Sequence, residues 1–92
     1  MTPKSFEFQP GAILHDAIVG TFRAHGKSFE HWCKDNGITP SNARNATFGQ
    51  SRGPKGRELL DRIIEAAGRE FVALAYGARI AQYAAELTKG AA

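Results

Sequence analysis

The stretch Ser28 to Gly49, SFEHWCKDNGITPSNARNATFG, decides the fold, because each residue has a local reason to build two short helices hinged at Asn36-Gly37. Ser28 can accept a hydrogen bond from a free N–H of the first turn, and Glu30 puts a carboxylate at the positive end of the helix dipole. Phe29, Trp32 and Cys33 fall three to four residues apart and share an apolar face, with Glu30, Lys34 and Asp35 toward water. Gly37 suits a left-handed residue that ends the helix, and Ile38 behind it plugs the corner. Thr39 caps the next helix and Pro40 fits its first position, so a second helix is expected from Pro40 to about Phe48.

The second helix is unusual in what it leaves outside. Its apolar residues are Ala43 and Ala46, with Phe48 near the end, while Ser41, Asn42, Arg44 and Asn45 remain on the outer face. All four can hydrogen-bond to base edges, Asn matching adenine and Arg guanine, and none is acidic. No Asp or Glu occurs between Asn36 and Arg57, a window that holds Arg44, Arg52 and Lys55. Such a run neutralises phosphates and gives salt-sensitive affinity for nucleic acid. The layout is that of a helix-turn-helix, and the expected ligand is double-stranded DNA.

The motif resembles the lambda-repressor-like helix-turn-helix class. Gly53-Pro54-Lys55-Gly56-Arg57-Glu58, followed by Leu59, Leu60, Ile63 and Ile64, is similar to the Ner-type regulators of Mu-like phages, over roughly residues 13–67. Two positions depart from the class pattern. Phe29 stands where a phosphate-touching Gln is common, and Cys33 replaces the usual small residue in the middle of the first motif helix. The resemblance implies a small transcriptional regulator of phage or bacterial type, with a recognition helix at about 39–48 in the major groove. Ser41, Asn42, Arg44 and Asn45 would read bases. Lys27, Ser28, Thr39, Arg52 and Lys55 would hold phosphates and so set the register.

Working outward, the whole chain reads as all-α, a compact bundle of about five helices in one domain of 92 residues. An N-terminal arm, 1–9, carries Phe6 and Phe8, which can fold onto the core. A four-helix core, 10–67, begins with the stripe Ile13, Leu14, Ala17, Ile18 and Phe22, ended by His25-Gly26, and closes with a helix from about Pro54 to Ala67. An additional helix, 69–89, carries Val72, Tyr76, Ile80, Tyr83 and Leu87 as a seam, with Ala73, Gly77, Ala81 and Ala84 beside it. Such a seam either packs on its own domain or joins two copies as a homodimer, in which case the target is an inverted repeat.

Other chemistry finds little support. His15, His25, His31 and Cys33 lack zinc spacing, no nucleophile constellation is present, and the glycines around Gly53 lack a phosphate-loop pattern. No catalytic residue, metal or cofactor is expected, and the protein is not read as an enzyme. One cysteine, the absence of an apolar run long enough for a membrane and the lack of a signal-peptide core point to the cytoplasm, with association with the nucleoid. The net charge of +3 is modest, so the argument rests on where the charges lie. Two alternatives use the same scaffold: an interaction module that recruits a transcription-machinery protein, and a DNA-binding role in recombination or packaging.

Overall fold

Helix ends determine this architecture, and three of them are built alike. The first motif helix closes with Ile38 N–H donating to Cys33 O at 2.8 Å and Gly37 N–H donating to Lys34 O at 3.1 Å. This pair of bonds needs a left-handed residue between them, and Gly37 has φ 69°. The preceding helix ends with Lys27 N–H on Phe22 O at 2.8 Å, and the following one with Gln50 N–H on Asn45 O at 2.8 Å. The chain therefore reverses in a few residues each time, which keeps successive helices in contact.

The computed structural model describes residues 8–51 and 53–91. Its elements are α1 (Ala12–Ala24), α2 (Phe29–Asp35), α3 (Pro40–Thr47), α4 (Pro54–Ala67) and α5 (Arg69–Ala91). The fold is the all-α bundle expected from sequence, with no strand among the described residues. Phe6 and Arg52 lie outside the described residues.

α1 is the central post, touching each of the other four helices. Its Leu14, Ala17, Ile18 and Phe22 are buried together with Phe29 and Cys33 of α2, Ala43 of α3, Ile63 and Ile64 of α4 and Val72 of α5. Removing this apolar surface from water is the main stabilising term. Thr21, buried among them, donates its hydroxyl to Ala17 O at 2.7 Å, so no buried side-chain N or O is left unpaired among the described residues.

The arm contributes one anchor. Phe8 is buried and meets the Tyr76 ring edge-on at 5.4 Å, while Gln9 N–H donates to the Tyr76 hydroxyl at 3.0 Å. Gly11 N–H donates to Thr47 O at 2.9 Å, tying the entry of α1 to the end of α3.

The α5 seam divides in two by burial. Val72 is fully buried inside its own domain and Tyr76 is half-buried against Phe8. Ile80, Tyr83 and Leu87 are exposed by 39%, 49% and 56% of their surface. The physical reason is length: 23 residues span about 34 Å, more than the rest of the bundle can cover.

Candidate nucleic-acid interface

α3 is held from both ends and from beneath. Thr39 Oγ1 accepts the Asn42 N–H at 3.2 Å, with Pro40 at the first helical position. At the other end Gln50 and Ser51 both donate their N–H to Asn45 O, at 2.8 and 3.1 Å. Beneath it, Ala43, Ala46 and Thr47 are buried. Two alanines and a threonine let the helix lie close to α1 and α4, leaving its opposite side free of large apolar groups.

His15 of α1 locks this arrangement. Its Nδ1 lies 2.8 Å from Thr47 Oγ1, its ring stacks on Phe48 with centroids 4.5 Å apart, and it meets Phe29 edge-on at 5.6 Å. The Thr47 hydroxyl is also placed to donate to Arg44 O at 3.1 Å, leaving its oxygen to accept from His15 Nδ1–H. Burial lowers the His15 pKa below its ordinary 6.5; the nearby Asp16 opposes this and Arg44 adds to it. One neutral imidazole thus bridges α1, α2 and α3.

The base-reading residues proposed from sequence emerge on one side of α3. Ser41, Asn42 and Arg44 are exposed and Asn45 is half-buried, partly shielded by the loop that bonds to its carbonyl. Arg44 is engaged already: its Nη2 lies 3.4 Å from Glu30 Oε2 on α2, with more than half of each side chain exposed. Glu30 also sits in the first turn of α2, as the dipole argument requires.

The proposed phosphate residues are distributed around this helix. Lys27 and Ser28 occupy the turn between α1 and α2, Thr39 the turn into α3, and Lys55 the first turn of α4, all exposed. Ser28 Oγ accepts the His31 N–H at 3.2 Å, just as Thr39 caps α3. A capping hydroxyl spends an acceptor lone pair and keeps its own proton, so each can still donate to a phosphate oxygen.

One surface residue escaped the sequence reading. Phe48, apolar by type, is 39% exposed at the C-cap of α3, with its ring stacked on His15. The signal was available in the spacing: seven residues after Ser41, Phe48 falls on the same strip as Ser41 and Asn45. An aromatic edge there can touch a thymine methyl group.

Cys33 is fully buried between the motif helices, and burial, with the Glu30 charge second, pushes its thiol above the usual range. That is a packing environment, in which thiolate chemistry is suppressed. Among the described residues, no three His, Cys, Asp or Glu side chains gather as a metal site, and no helix is long and apolar enough to cross a membrane. No protein-family model, curated protein or solved structure matches the chain.

Proposed function

We propose that the protein binds double-stranded DNA sequence-specifically, as a small transcriptional regulator of phage or bacterial type. The observation that carries this reading is the composition of α3: Ala43, Ala46 and Thr47 face inward, while Ser41, Asn42 and Arg44 stand exposed, Asn45 lies half-buried beside them, and the helix holds no carboxylate. α3 enters the major groove, whose base edges match the amide and guanidinium groups it presents. Lys27, Lys55 and the hydroxyls of Ser28 and Thr39 contact the backbone on either side and set the register. The likeness of the sequence to Ner-type regulators points the same way.

The DNA-free protein holds Arg44 against Glu30. Docking exchanges that carboxylate for a base edge or phosphate, so the ion pair competes with DNA for the guanidinium. The direct test is titration of a fluorescent duplex of random sequence at about 50 and 200 mM salt. Binding that weakens steeply with salt supports the reading. Absence of binding at low salt sinks it, and moves weight to a scaffold that recruits a transcription-machinery protein.

A further inference from the structure

The distal half of α5 has the composition of a buried helix and the exposure of a free one. From Gly77 to Lys89 every residue is exposed, yet only Arg79, Glu86 and Lys89 carry charge. Tyr76, Ile80, Tyr83 and Leu87 recur at four, three and four residues, the spacing of a two-helix seam. The flanks of that seam differ. Gly77 and Ala84 lie on one side, seven residues apart and both small; Arg79 and Glu86 lie on the other, also seven apart and opposite in charge.

We infer that this seam seats the same segment of a second copy of the chain, running antiparallel. When two identical helices pair antiparallel, each flank meets its own counterpart. One register then satisfies the whole pattern. Ile80 faces Tyr83 of the second copy, Tyr76 faces its Leu87, Arg79 lies beside its Glu86, and Gly77 lies beside its Ala84. The Arg79–Glu86 ion pair forms twice by symmetry, and the small flanks let the backbones approach. A parallel pair would set the charged flank against the small one, leaving Arg79 and Glu86 without opposite charges. Among the described residues of its own chain, Arg79 hydrogen-bonds the neutral Gln82, 3.3 Å from Nη1, and neither Arg79 nor Glu86 makes an ion pair.

The arrangement also explains why Val72 and Tyr76 continue the seam into the domain. Leu87 of the second copy extends the packing that Phe8 begins on Tyr76, so the interface is continuous with the core. The two-fold axis that relates the helices relates the two α3 surfaces as well. The inference does not require DNA binding, and is tested without DNA.

The experiment is sedimentation equilibrium of the full chain and three charge variants, with helicity checked by circular dichroism. The natural protein is expected to dimerise. Arg79→Glu alone and Glu86→Arg alone each place like charges together and should weaken the dimer by roughly tenfold. Equimolar mixing of these two variants restores complementary pairs only in the antiparallel register, and the double swap Arg79→Glu/Glu86→Arg does the same. Restoration in both supports the inference. A monomer at high micromolar concentration overturns it, as does a dimer indifferent to these charges.

Discussion

The Arg44 guanidinium on α3 lies 3.4 Å from the Glu30 carboxylate on α2, so the single guanidinium that α3 carries is paired with an acid. The pair joins residues 14 apart in the chain across the motif turn. Its removal should tighten DNA binding. Glu30→Gln frees Arg44 and deletes a negative charge beside the incoming phosphates, and affinity is expected to rise roughly 2- to 5-fold at low salt. In an Arg44→Ala background the gain should shrink, and a double-mutant cycle by fluorescence anisotropy measures by how much.

Base-reading and phosphate-holding residues separate by their signatures. Arg44→Ala or Asn45→Ala should cost about 1–3 kcal/mol on a preferred duplex and flatten the preference over a scrambled one. Lys55→Ala should weaken binding to both equally and reduce the salt slope by about 1. An equal loss on both duplexes for Arg44→Ala removes it from base readout.

Acid should loosen the seat of α3 through His15. Its pKa is lowered in the folded protein, so the unfolded chain takes up the proton more readily. The stabilising contribution is complete above the unfolded value of 6.5 and is lost as pH falls through the lower folded value. Urea midpoints are therefore expected to drop on going from neutral to about pH 5, and to drop less in His15→Gln, where the group no longer titrates.

Two glycines predict opposite outcomes for the same change. A Cβ on Gly56, in the first turn of α4, would collide with the backbone carbonyl of Ser51, which folds over it. Gly56→Ala should cost roughly 1–3 kcal/mol and disturb the loop between α3 and α4. Gly20 lies exposed in the middle of α1 with nothing within 4 Å of a Cβ. Gly20→Ala should stabilise by about 0.5–1 kcal/mol, because alanine restricts the unfolded chain. Thermal unfolding of both variants reads the two signs.

What was legible in the sequence was local. Ser28, Thr39, Pro40 and Gly37 act within a turn of their own positions, so caps and turns were readable and the motif helices fall within a residue of expectation. The stripes of α1 and α4 set which faces turn inward for the same reason. Relations between helices were not legible. The Glu30–Arg44 pair depends on how α2 and α3 cross, and the stacking of His15 on Phe48 depends on how α1 meets the end of α3. The seam of α5 was visible as periodicity, but where the domain stops covering it is a matter of tertiary reach. Val72 and Leu87 carry the same pattern and meet opposite fates.

Selection of bound sequences from a random duplex library by the purified protein, at near-physiological salt, tests the central claim most directly. The account predicts enrichment of a short motif arranged as an inverted repeat, lost when Asn45 and Arg44 are replaced by alanine. Recovery of the unselected library composition, or no retained DNA at all, would contradict it.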